Sequence, residues 1–232
     1  MAWDFIAKNA GDYTGALLQP VQTLAEAMAT ISGLIGAFRA PSGALGNEVT
    51  KWGPAAGTYS MTGMAGVDRP VFSTADGLPT LRFQGGDDFT FTPAGSIDLA
   101  TEITFGIRAK FQAIASTQII AGDASNRFRI DATNGNTVRF YTASSASAHV
   151  TAPISLLGWH TLIFTHSNGT SRIDVDGVVT QGPGAALNAG VSAILGAWAA
   201  GIAMDADVRN VFLAASDTYG LPQYDVVKSF LG

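Results

Sequence analysis

The sequence predicts an all-β protein: an antiparallel β-sandwich with an N-terminal helical segment and a short C-terminal helix. Three observations predict it. Apolar and polar residues alternate with period two in several runs, the pattern of strands with one buried and one wet face. Turn-forming pairs, Asn134-Gly135, Asn168-Gly169 and Asp176-Gly177, punctuate those runs at hairpin spacing. The 232 residues are 47% hydrophobic and 13% charged, with no cysteine. That supplies a core for one large domain, with neither a disulfide framework nor a thiolate site.

Taken in order, residues 1–15 read as an irregular arm containing Asn9, Gly11, Asp12 and Gly15. From Ala16 to Ser32 the pattern turns helical. Leu17, Val21, Leu24, Met28, Ile31 and Ile35 recur at spacings of three and four, an apolar stripe on one helix face. Pro20 suits the first turn and Gly33 the stop. Two uses of this stripe stay open. It packs on the chain's own domain, or it forms an oligomer or attachment seam, although under three heptads is short for a coiled coil. The expected organisation is therefore 1–33 as an attachment or oligomerisation segment and 34–232 as the sandwich domain.

Beyond Gly36 the strand signals take over. Ile103, Phe105, Ile107, Ala109 and Phe111 alternate with Thr104, Gly106, Arg108 and Lys110. Phe128 and Ile130, Val138 and Phe140, and Ile173 and Val175 repeat the pattern. Trp159 to Thr165 is apolar on both parities and reads as a central strand, with Trp159 and Phe83 expected in the core. Many short antiparallel strands at this spacing indicate a sandwich or jelly roll. Leu221 to Leu231 reads as a closing helix with Tyr224, Val227 and Leu231 on one side.

Charge and hydropathy exclude several classes. Thirteen basic against eighteen acidic residues give a net charge of −5, with a pI near 5.0. Neutralising nucleic-acid phosphates needs a basic face instead. No run approaches the ~20 apolar residues of a membrane span. Asp4 stands where a secretory signal has its basic region, so no such leader is expected.

Catalytic constellations are sparse. Glu26, Glu48 and Glu102 are the only glutamates, and none has a carboxylate two residues away. The nearest approach to a glycosidase acid pair is Asp174 and Asp176, read as an exposed strand residue and a turn residue. His160 and His166 on one strand stand ~20 Å apart, too far to share a metal. His149 is the third histidine. There is no Gly-x-Ser-x-Gly elbow and no phosphate-cradling loop. The chain is expected not to be an enzyme. Carbohydrate binding needs an aromatic platform, for which Tyr59, Trp198 and Tyr219 are the candidates.

Three stretches carry a resemblance. The first is Val49-Thr50-Lys51-Trp52-Gly53 followed by Asp68-Arg69-Pro70-Val71-Phe72. The second runs from Gly77-Leu78-Pro79-Thr80-Leu81-Arg82-Phe83 to Gln84-Gly85-Gly86-Asp87-Asp88. The third is Gly158-Trp159-His160-Thr161-Leu162 with Arg172-Ile173-Asp174-Val175-Asp176-Gly177. In this order they resemble the laminin-G-like, concanavalin-A-like jelly roll of phage virion proteins and bacterial surface proteins, over residues 34–232. One departure is Ile202 to Val208, where members often carry an Ile-Asp-Glu run. The resemblance implies a structural virion protein (head fibre, spike, decoration or tail-associated) displaying a lectin-like jelly roll. It would be assembled in the host cytoplasm. Its partners would be other virion proteins, further copies of itself and a host-surface glycan. The alternative is a carbohydrate-binding module of a bacterial surface protein; a glycan-cleaving enzyme would lack its acid pair. The same resemblance implies calcium as a possible cofactor, with Asp87, Asp88, Asp123 and Asn126 as candidate ligands.

Overall fold

The computed structural model describes residues 23–63, 69–92, 101–114, 116–123, 128–142, 150–187, 193–196 and 204–232. The first elements in chain order are α1 (Leu24–Ala29), β1 (Leu34–Arg39), β2 (Lys51–Trp52), β3 (Ala56–Gly57) and β4 (Ser60–Thr62). Next come β5 (Val71–Ala75), β6 (Leu78–Phe83), β7 (Phe89–Thr92), β8 (Ile103–Phe111) and β9 (Gln118–Asp123). Then follow β10 (Phe128–Thr133), β11 (Thr137–Thr142), β12 (Val150–Pro153), β13 (Trp159–Ser167) and β14 (Thr170–Val175). Last are β15 (Val178–Pro183), β16 (Ala193–Leu195), β17 (Ala206–Ala214) and α2 (Pro222–Leu231).

These strands form two antiparallel sheets. Sheet A runs β15-β14-β13-β8-β17-β1-β3, and β6 with its partner β5 also joins it along β17. Sheet B runs β12-β11-β10-β9-β16-β7-β4-β2. Strand β17 changes neighbour part-way. Ala206, Asp207 and Val208 pair with β6, and Asn210 to Ala214 pair with β1. A bulge around Arg209 marks the handover. Among the described residues no helix is long and apolar enough to cross a membrane.

The alternation seen in the sequence places the core. Strands β8 and β13 pair from Ile103 opposite His166 to Lys110 opposite Trp159. Their inner residues Phe105, Ile107, Leu162 and Phe164 meet Phe128, Ile130 and Phe140 of sheet B in one buried cluster. Phe164 touches Phe140 edge-on at 5.9 Å and Phe105 at 6.2 Å. Phe83 is fully buried, as expected, and Val175 sits at the margin of the cluster.

Trp159 corrects one expectation. On β13 the inner parity belongs to His160, Leu162 and Phe164, so Trp159 emerges half-buried on the outer face of sheet A. Reading the strand as apolar on both parities concealed this.

The outer face of sheet A is not simply wet. Helix α2 lies on it, and Tyr224, Val227, Phe230 and Leu231 join Ala37, Ile163, Phe212 and Ala214 in a second core. Gly106 lies under the helix: a Cβ there would stand 2.6 Å from Leu231 Cδ1. Asn210 Nδ2 donates to the Phe230 carbonyl at 2.9 Å, fastening the end of α2 to β17.

Helix α1 is shorter than the stripe suggested. Thr23 caps it: its hydroxyl accepts from Glu26 N at 3.2 Å, and the Glu26 carboxylate accepts from Thr23 N at 2.7 Å. This capping box starts the helix at Leu24. The helix ends at Ala29, and Ile35 lies in β1, so the stripe is not one continuous helix face. Met28 and Ile31 are buried in the second core with the apolar face of α2, Ile35 lies in the main core and Leu24 packs beside the second core. Met28, Ile31 and Ile35 are buried by their own chain, and Leu24 keeps part of its surface. Leu17 and Val21 lie outside the described residues.

Candidate ligand-binding groove

Three segments meet at one end of the sandwich. The β6–β7 turn closes on itself, with Asp87 N donating to the Gln84 carbonyl at 3.1 Å. Asp87 Oδ2 in return accepts from Gln84 N at 2.8 Å. The turn needs φ of 66° at residue 85 and 138° at residue 86, which the Gly85-Gly86 pair supplies without strain. Beside it the segment before β2 lies against β5. Glu48 bridges Val71, and Val49 N donates to the Pro70 carbonyl at 2.8 Å. Arg69 Nη1 pairs with Glu48 Oε2 at 3.2 Å.

Glu48, Arg69, Val71, Gln84, Gly85 and Asp87 line a groove of about 510 Å³ between these segments. The volume suits a small ligand. The wall offers a guanidinium, an amide and carboxylates around one apolar side chain, a donor and acceptor set that matches sugar hydroxyls. Gly196 lies against this turn, so close that a Cβ would stand 2.5 Å from the Asp87 carbonyl oxygen. Met204 N donates to the Gly196 carbonyl at 2.9 Å. Trp198 lies outside the described residues.

The predicted calcium ligands do not converge. Asp87 and Asp88 are buried in the β6–β7 turn. Asp123 pairs with Ala193 on β16, whereas Phe89, the residue after Asp88, pairs with Leu195. Asp88 and Asp123 are thus about three residues apart along the strands and two strands apart across them, ~14 Å. Calcium ligands stand only ~2.3–2.6 Å from their ion. Asn126 lies outside the described residues, among which no group of three His, Asp or Glu side chains forms a metal site.

The predicted aromatics are scattered as well. Tyr59 packs half-buried on the main core beyond β3. Tyr219 meets Tyr224 edge-on at 5.3 Å and lies under the Arg172 guanidinium at 4.6 Å. Arg172 is on β14, five strand spacings from β3 and so ~24 Å away. Trp159 is no free platform either. Arg209 covers its ring at 4.0 Å, and its Nε1 donates to Asp76 Oδ2 at 2.5 Å. That hydrogen bond, followed by nearby Lys110, holds the Asp76 carboxyl below the usual range.

The Asp174 and Asp176 pair is structural. Asp174 is buried, not exposed. Its oxygens accept from Gly177 N at 2.6 Å and from the Tyr224 hydroxyl at 2.7 Å. Burial, then this bond, pushes the Tyr224 hydroxyl pKa up. Asp176 accepts from Thr161 N at 2.8 Å, and its other oxygen lies 2.6 Å from His160 Nδ1. His166 occupies the far end of the same strand, and His149 lies outside the described residues.

Glu48, Arg69, Val71 and Gln84 did not stand out as site residues in the sequence. The available signal was Gly85-Gly86 between two strand-like runs with polar neighbours. The Glu48–Arg69 pairing, across 21 positions, leaves no local trace.

No protein-family model matches the chain, and no curated protein matches it by sequence. Solved structures do share its fold. Trypanosoma rangeli sialidase superposes with a TM-score of 0.60 at 12% identity, over 86% of this chain and 32% of that one. Domain 4 of AbnA, a GH43 extracellular arabinanase from Geobacillus stearothermophilus solved with arabinotriose, gives 0.61 at 16% identity. There the match covers 85% of this chain and 98% of that one. The binding domain of botulinum neurotoxin DC, solved with rat synaptotagmin II, gives 0.53 at 11% identity, over 85% and 51%. What these proteins share with the chain is the sandwich itself. The chain spans about a third of the sialidase, 32% of its length.

Proposed function

We propose that the protein is a non-catalytic glycan-binding module, with its ligand in the groove between the β6–β7 turn and the Glu48–Arg69 pair. The observation that carries this reading is the groove, whose wall sets polar side chains around Val71. The likeness to a sandwich domain solved with arabinotriose adds support from fold analogy. The setting we propose is a phage virion displaying the sandwich towards a host-surface glycan, which rests on the sequence resemblance of residues 34–232. Titration calorimetry against a panel of neutral oligosaccharides tests the binding reading. One member should bind, and Arg69→Ala and Gln84→Ala should each weaken it about tenfold, as expected for losing one or two polar contacts. A panel without a binder, or a binder indifferent to both substitutions, would overturn it.

A further inference from the structure

Sheet B carries a second ordered group of polar side chains on its outer face. The register of three strands lays it out as a grid. Arg129 stands opposite Tyr141, Asp131 opposite Arg139, and Arg139 in turn opposite Thr151 on β12. At the centre, Asp131 has no exposure to solvent. Arg139 grips it with two hydrogen bonds, Nε to Oδ1 at 2.6 Å and Nη2 to Oδ2 at 3.0 Å. Arg129 approaches the same carboxylate with Nε 3.1 Å from Oδ2. The Arg129 guanidinium lies over the Tyr141 ring at 3.8 Å, and Tyr141 is itself buried.

Two guanidinium groups share one carboxylate, so one positive charge is left uncompensated among these residues. Asp131 is occupied by Arg139, and Arg129 meets it only through Nε. The terminal nitrogens of Arg129 make no hydrogen bond to the described residues, and its side chain keeps 23% of its exposure. Stacking on Tyr141 and contact with Asp131 fix the plane of the group before any ligand arrives. A guanidinium fork held in this way matches a planar carboxylate, which it binds through two parallel hydrogen bonds. Thr151 is exposed beside Arg139, and Thr133 and Thr137 continue the same face half-buried. Their hydroxyls suit a sugar ring. A nucleic acid is disfavoured, because the whole chain carries −5.

We propose that Arg129, backed by Tyr141 and braced by Asp131 and Arg139, is a binding site for the carboxylate of an acidic sugar on the outer face of sheet B. The site lies three strand spacings from β7 and so ~14 Å or more from the groove. It stands whether or not the groove binds a neutral glycan.

Titration calorimetry on the full chain tests it, with trigalacturonate as probe and maltotriose as neutral control. Trigalacturonate should bind through Arg129, whereas any maltotriose binding should be indifferent to the Arg129 substitutions. Arg129→Gln should weaken it about tenfold to a hundredfold, the range for a charge-assisted hydrogen-bond pair. Arg129→Lys keeps the charge without the fork, should lose most of the same affinity, and serves if the glutamine variant fails to fold. Arg69→Ala, in the groove, should leave trigalacturonate binding unchanged. No binding of trigalacturonate, maltotriose binding that depends equally on Arg129, or full trigalacturonate affinity in the Arg129 variants would overturn the proposal. So would loss of binding in Arg69→Ala alone, which would put the acid in the groove.

Discussion

Asp207 sits on β17 with little exposure, and its Oδ2 accepts from Gln112 Nε2 at 2.6 Å. Burial is the largest influence on it and raises its carboxyl above the usual range, against the pull of Arg82. A carboxyl raised on folding contributes stability that is fully present below its unfolded pKa and is lost as pH rises through the folded one. At neutral pH the chain therefore holds a poorly solvated charge here. Asp207→Asn keeps an acceptor for Gln112 and removes the charge. It should raise the Tm at pH 7 and leave it unchanged near pH 3, below the ordinary aspartate pKa of about 3.9. Calorimetry at both values checks this, and equal shifts at the two pH values would mean that titration is not the cause. Single residues also show what a sequence hides. Ile107 and Phe140 were legible because strict alternation leaves one choice of face. Trp159 was not, because Leu162, Ile163 and Phe164 make both parities of β13 apolar. The reason for that double polarity is α2, which covers Ile163 from outside.

Among the elements, the two helices differ in how much of them the sequence revealed. Helix α2 was legible because Tyr224, Val227 and Leu231 mark one face; in the structure Pro222 occupies its first turn. Helix α1 was overextended, because Ile35 continues the spacing by coincidence while belonging to β1. Its role follows from burial. Met28 and Ile31 are both in the second core, and burying such a side chain contributes roughly 1.5–3 kcal/mol. Two shortened chains separate this contribution from anything upstream. One begins at Thr23 and keeps the capping box; the other begins at Leu34 and loses α1. The second should be less stable than the first by about 3–6 kcal/mol in denaturant unfolding, with Phe230 and Phe212 newly open to a hydrophobic dye. Equal stability of the two would show that α1 adds nothing to the sandwich.

For the molecule as a whole, two sheets and a helix-covered outer face use up the carboxylates that a sequence scan for catalysis picks out. Asp174 ties the β14–β15 hairpin to α2, and Asp176 ties the hairpin turn to β13. The groove was not legible because it is a product of topology. Glu48, Arg69 and Gln84 come from separate segments that only the pairing of β5 with β6, and of Glu48 with Val71, brings together. It does contain two carboxylates, and their surroundings decide what they do. Glu48 is paired with Arg69, and its side chain is 58% exposed. Asp87 is committed to the backbone of its own turn. Glycoside hydrolysis asks for a proton-holding acid and a second carboxylate on the other side of the bond, ~5–9.5 Å away, in a setting that excludes water. An open ion pair and a turn-bound aspartate do not provide that setting. The protein should therefore bind without cutting. Incubation with β-glucan, arabinan and a sialylated glycan should release no reducing sugar or free sialic acid above a buffer control. Release that disappears in Glu48→Gln would show instead that the groove is an active site, and that the ion pair with Arg69 opens when substrate enters.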